Sequence, residues 1–299
     1  MSLSQVKGYL VYLYLTHRLS FLEGKENYHS VKVMTIEMLL VQPRNAVVYM
    51  PSMDHPYGPE TILGNDFSIH NGHLNFLHRD ILNEEPNADR LFHPSWKDWL
   101  CDCLGVRQRL SLLKPKALIN LQLSRGVSGI VNAGVLSEEL RFVHEKRPDK
   151  FLGLIQYLWA FDVPRATKVS FLVAEVQGLP AQDLCTGGRS VRLQDTWVPL
   201  KALQESVKHY MKNANEFPFL DLGNENDMDV AIYTKWDFLV KDLGVKRQND
   251  MAFLLEILNS IKLSCHELSS WQAKKVFELY AAINMRLQLA IDGERERAL

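Results

Sequence analysis

Cysteine is scarce, with four residues in 299, two of them in the pair Cys101-x-Cys103. So few thiols exclude a disulfide framework and predict a reducing, intracellular compartment, without choosing between nucleus and cytoplasm. An excess of one charge is also missing: 34 Lys and Arg stand against 35 Asp and Glu. No global field therefore favours nucleic acid, an anionic membrane or an acidic substrate. Long apolar runs are absent as well. The strongest, Gly8 to Leu15, is followed at once by Thr16-His17-Arg18. It is too short for a bilayer core of about 30 Å and lacks a signal-peptide cleavage site, so its expected fate is burial in a protein core and no membrane partner is expected. What is present is a 46% hydrophobic composition, enough to bury a sizeable core, in a length that suggests two modules.

The most informative pattern is a repeat. Trp99-Leu100-x-x-x-Leu104-Gly105-Val106-Arg107 recurs as Phe238-Leu239-x-x-x-Leu243-Gly244-Val245-Lys246, displaced from position 99 to 238 without a gap. The spacing predicts a helix that ends where Gly105 or Gly244 takes a left-handed conformation, as in a Schellman cap. Val106 or Val245 then folds back onto Leu100 or Leu239, and Arg107 or Lys246 faces the negative end of the helix dipole. Before the first copy, Ala46 to Met50 reads as a strand ended by Pro51, and Asp54 to Pro59 as an ordered turn. Before the second, Leu184 to Leu193 reads as a hairpin turning at Gly187-Gly188.

Helices follow each copy. Pro148 opens a helix with the stripe Phe151, Leu154, Ile155 and Leu158. Asn249 or Asp250 caps one with the stripe Met251, Leu254, Leu255, Leu258 and Ile261, and a last helix carries Val276, Tyr280, Ile283, Leu287 and Ile291. The first helix echoes the last, with Tyr12, Arg18 and Leu19 matching Tyr280, Arg286 and Leu287. These patterns predict an α+β, helix-rich fold of two related modules, each a small strand unit followed by a helical packet. Residues 1–40 are expected as an N-terminal helix and strand or cap left from a preceding module, 41–178 as module 1, 179–292 as module 2 and 293–299 as a tail.

No motif for chemistry is complete. His55, His70, His73, His78 and His93 cluster without zinc-ligand spacing, and Cys101 and Cys103 point to different sides of a helix. Gly129 to Gly134 has the skeleton of a phosphate loop, but Val135-Leu136 stands where Lys and Ser or Thr are required. Ser128, with Val127 and Gly129 beside it, does not complete the Gly-x-Ser-x-Gly of a nucleophile elbow, because Ile130 stands at the second glycine. Asp221 to Asp229 departs from a calcium loop at Asn226 and Ile232. Trp96, Trp99, Trp159, Trp197, Trp236 and Trp271 lie in apolar-periodic segments and are expected in cores rather than as base-stacking platforms. Arg107, Arg109, Lys114 and Lys116 form the one modest basic run, read as a helix-end charge and a solvated loop. No catalytic, cofactor-binding or metal-ligating residue is therefore assigned, and no cofactor is expected.

Several phrases resemble a family. They are His55-Pro56-Tyr57-Gly58-Pro59-Glu60, Ser95-Trp96-Lys97-Asp98-Trp99-Leu100 with Leu104-Gly105-Val106-Arg107, and Arg147-Pro148-Asp149-Lys150-Phe151-Leu152-Gly153. Leu184-Cys185-Thr186-Gly187-Gly188, Val198-Pro199-Leu200, Phe217-Pro218-Phe219-Leu220 and Trp236-x-Phe238-Leu239 continue the pattern. From about 45 to 290 the chain is similar to the region downstream of the ATPase domain in fungal and plant proteins related to NO VEIN and, more distantly, sacsin. The resemblance implies a scaffold or chaperone-like arm in a protein whose ATPase, of the heat-shock-chaperone and histidine-kinase type, uses an Asn box and an Asp-x-Gly-x-Gly loop. Neither occurs here, and Asp221-Leu222-Gly223-Asn224 lacks the second glycine. ATP binding is not expected on this chain. The function expected is a non-enzymatic scaffold or protein-interaction segment, whose protein partners the sequence does not specify. The alternative is an enzyme of unrecognised type with a site between the modules.

Overall fold

A computed structural model describes residues 1–16, 28, 30–51, 55–71, 74–84, 86, 94–114, 136–162, 169–181, 184–223, 235–264 and 269–297. Among them the fold is α+β and helix-rich, with two short two-stranded sheets. The chain divides into two compact units. The first comprises 1–115, 137–150 and 157–162, and the second 116–136, 151–156 and 163–299.

In the first unit, the Leu3–Thr16 helix buries Val6, Leu10, Leu13 and Tyr14 in the core that holds Val33, Val48, Trp96, Trp99, Leu100 and Val106. Tyr9, Tyr12 and Leu15 of the apolar run stay exposed. Trp96 and Trp99 stack at 5.2 Å, and Tyr14 meets both edge-on. The Tyr14 hydroxyl donates to Pro94 O at 2.7 Å and Trp96 Nε1 to Ile81 O at 2.8 Å, so these amphipathic rings are buried without orphaned polar ends. Strand β1 (Val33–Met34) pairs antiparallel with β2 (Leu40–Val41). Strand β3 (Val48–Tyr49) pairs parallel with β4 (Asn75–Phe76). A parallel pair cannot close with a tight turn. Here the Pro59–Asn71 helix makes the crossover, interrupted at Gly64 with φ 56°. One helix thus lies inside the strand unit instead of following it. The Glu138–Lys146 helix packs on this crossover helix.

The second unit builds the same arrangement. Each hydrogen bond around the central residue Tyr49 has a counterpart around Trp197. In the first unit Arg107 N–H donates to Val48 O, Met50 N–H to Arg107 O and Leu77 N–H to Tyr49 O, all at 2.8 Å. In the second, Lys246 N–H donates to Thr196 O, Val198 N–H to Lys246 O and Leu220 N–H to Trp197 O, all at 2.9 Å. On the outer side, Ile36 N–H to Phe76 O and His78 N–H to Met34 O match Thr186 N–H to Phe219 O and Asp221 N–H to Leu184 O. The Lys201–Tyr210 helix takes the crossover position. The counterpart of the strand at 48–50 is therefore 196–198. Residues 184–193 correspond to the outer segment; Pro180 pairs with Arg192 across that excursion, and the only tight turn in it closes with Gly188 N–H on Cys185 O.

The repeated cap explains the register. Gly105 and Gly244 have φ of 84° and 72°. Val106 N–H donates to Leu100 O at 3.1 Å and Val245 N–H to Leu239 O at 2.9 Å. These bonds span one residue more than the Schellman bond that the repeat predicts. The wider loop turns the chain out of the helix so that the following residue, Arg107 or Lys246, joins the central strand.

The long helices confirm some apolar stripes and shift others. The Pro148–Asp162 helix buries Phe151, Leu154, Ile155 and Leu158 as expected. Asp250 caps the Met251–Ser264 helix, its Oδ1 accepting Phe253 N–H at 3.0 Å. Its buried face is Phe253, Leu254, Ile257 and Ile261, while Leu255 is exposed. The run Met251 to Leu255 is apolar on all sides, so periodicity alone does not select its inner face. Among the described side chains of the Ser270–Arg297 helix, Leu279 and Ile283 are buried, and Tyr280, Leu287 and Ile291 are exposed.

Candidate functional site

The basic residue after each cap lies on the aromatic residue at the centre of its unit. Lys246 Nζ sits 4.4 Å from the centroid of the Trp197 ring, in a cation–π contact, and 4.0 Å from Asp195. Tyr49 donates to Glu139 Oε1 at 2.8 Å; burial first, and then the Glu139 charge, push its pKa far above the ordinary phenol value, while Arg107 opposes them. Tyr49 is a structural donor, held neutral. Arg107 and Lys246 thus act on the aromatic residue of the central strand.

The first unit departs from the second immediately beyond this shared core. Pro51 and Pro199 occupy equivalent places, one residue after Met50 and Val198. In the second unit the crossover helix starts at Lys201, two residues after its proline. In the first it starts at Pro59, eight residues after Pro51. The extra segment contains His55 and Tyr57. Gly58 N–H donates to His55 O at 2.9 Å and Tyr57 N–H to His55 Nδ1 at 3.1 Å, which leaves Nε2 as the ring's donor. These bonds form the end of the ordered turn expected at 54–59.

That turn walls a cavity of about 300 Å³ whose lining includes His55, Tyr57, Lys97, Gln108, Arg109 and Tyr157. The His55 ring lies 4.6 Å from that of Tyr157, and Tyr57 and Tyr157 are near parallel at 5.8 Å. Arg109 is held over the Phe161 ring at 4.2 Å, with Asp162 at 4.0 Å. Asp162 itself is pinned by Leu112 N–H at 2.7 Å. Lys97 projects from the Trp96–Asp102 helix and is exposed. The described lining therefore brings two cations and three aromatic rings together and includes no carboxylate.

A second cavity, of about 330 Å³, lies in the other unit against Gly187, Arg189, Glu216 and Ser260. Its arginine is already engaged, by Glu256 at 2.5 Å and Ser260 Oγ at 2.7 Å. Gly187 is required here: a Cβ would lie 1.9 Å from Asn215 O. Cys185 nearby is pushed up to about 12 by burial, and Cys101 of the first unit to about 11 for the same reason. Both thiols stay protonated near neutrality.

The sequence candidates separate in the fold. His55 lines the first cavity, whereas His78 caps the Arg79–Leu82 helix by accepting Asp80 N–H. The side chain of His70, residues His73, His93 and Ser128, the glycine-rich stretch 126–134 and residues 224–230 lie outside the described residues. Among the described residues, no group of three or more His, Cys, Asp or Glu is placed to hold a metal. No described helix is long and apolar enough to cross a membrane. Trp96, Trp99, Trp159, Trp197 and Trp236 are buried, as core packing predicts; Trp271 is partly exposed, with Lys212 5.5 Å above its ring. Sequence reasoning passed over Tyr157 and Lys97 as site residues. The available signal was Tyr157 with Phe161, an aromatic pair one helical turn apart. No family model matches the chain, and searches of curated proteins and of solved structures find no relative.

Proposed function

We propose that the chain is a non-enzymatic scaffold, a protein-interaction segment of the kind its resemblance to NO VEIN-like and sacsin-like proteins implies. The observation that carries this reading is the outer face of the Ser270–Arg297 helix. Phe277 is 75% exposed, Tyr280 54%, Leu287 47% and Ile291 44%. Their spacing of three, seven and four residues places them within an arc of roughly 80° on one side. Leaving four large apolar side chains in water on one stripe costs solubility, and such stripes mark surfaces that other proteins cover. The duplicated sheet-and-cap core supplies the rigid support that a scaffold needs.

The test is proximity labelling in cells with the full chain and with the double substitution Phe277→Ser, Leu287→Ser, circular dichroism confirming that both are folded. A defined group of proteins should lose labelling by about ten-fold or more in the variant, the effect of removing two apolar anchors. Identical labelling by the two chains, or ATP turnover by the purified protein, would overturn the reading.

A further inference from the structure

We infer that the cavity of the first unit binds an aromatic ring carrying an anionic group, a phosphate or a carboxylate. Four observations converge on that chemistry. The wall of His55, Tyr57 and Tyr157 presents stacked rings, two of them with planes only 24° apart, against which a planar ligand packs with little loss of side-chain freedom. Lys97 and Arg109 open onto the same space. Lys97 has no carboxylate partner among the described residues, and Arg109 lies over the Phe161 ring at 4.2 Å with Asp162 at 4.0 Å. The hydroxyls of Tyr57 and Tyr157 and the Nε2 of His55 have no protein partner among the described residues, so each is available to a ligand. A volume of about 300 Å³ sits at the lower bound for small-molecule pockets and matches a ring with one charged substituent.

The turn that brings His55 and Tyr57 is the segment by which the first unit exceeds the second. The place of Lys97 in the repeat is taken in the second unit by Trp236, which is buried and precedes the Asp237–Lys241 helix. Folding of the shared core requires neither feature, since the second unit forms the same hydrogen bonds without them. Both changes add binding groups to one cavity.

Titration calorimetry on the full chain with phenyl phosphate, benzoate, phenol and inorganic phosphate tests the inference. Phenyl phosphate or benzoate should bind saturably and at least about ten-fold tighter than phenol and inorganic phosphate, because ring and charge are recognised together. Whichever of the two binds tighter identifies the anionic group. Lys97→Gln, an exposed position with no folding role, should weaken that binding by about ten-fold, and Tyr57→Ala by a similar factor. Binding of the aromatic anions no tighter than of phenol or inorganic phosphate would refute the site. So would wild-type affinity in both folded variants.

Discussion

At the scale of single residues, the two cap glycines are the clearest case of a position dictated by backbone geometry. An added Cβ at Gly105 meets no atom within 4 Å, and at Gly244 the nearest is Gln177 Nε2 at 3.4 Å. Space is therefore not what excludes a side chain; the positive φ is. Gly105→Ala and Gly244→Ala should each lower unfolding stability by about 1–2 kcal/mol, the cost of a left-handed L-residue, as measured by urea denaturation. Unchanged midpoints in both would show that the caps do not hold their helix ends. Gly187 is a different case, since there a Cβ collides with the backbone at Asn215.

Several elements in this fold are short, and their ends carry much of their stability. The Trp96–Asp102 helix spans only seven residues, too few to persist on propensity alone. Ser95 Oγ accepts Asp98 N–H at 3.1 Å while its hydroxyl donates to Asp98 Oδ2 at 2.6 Å, and the cap at Gly105 closes the other end. Ser95→Ala should cost about 1 kcal/mol, read as a lower thermal midpoint, because an N-terminal amide loses its acceptor. The equivalent Asp237–Lys241 helix has no such side-chain cap at Trp236, so alanine there should act through the core instead.

At the scale of the whole molecule, the duplicated core predicts duplicated protection. Amides of Met50, Leu77 and Arg107 in one unit and Val198, Leu220 and Lys246 in the other all enter the central hydrogen-bonded segments. Hydrogen exchange should find these six among the slowest in their units, ahead of the amides near the exposed Phe277 and Leu289. Fast exchange at one set alone would mean that the two cores, though alike in geometry, differ in stability. The scaffold proposal also belongs to this scale, because a partner surface on the last helix depends on which of its faces the Lys201–Tyr210 and Met251–Ser264 helices cover.

Local chemistry accounts for what was legible in the sequence. Leu-Gly-Val repeated after a helix, Pro148 before a 3.6-residue stripe and an aspartate before Met251 are each sufficient within a few residues to end, start or orient an element. So the repeat, the caps and the helix-rich α+β class could be read directly. The parallel pairing of 48–49 with 75–76, the matching of 34–36 to 184–186 and the inner face of the last helix could not. They depend on contacts between segments tens of residues apart, and beyond the shared Phe-Leu of 76–77 and 219–220 the matched strands differ in their side chains and agree in backbone hydrogen bonds. The candidate pocket is a stronger instance of the same limit: His55, Lys97, Arg109 and Tyr157 come from four separate segments, and only packing brings them onto one cavity. Sequence determined where this chain turns and which residues dislike water; tertiary structure decided which of them meet.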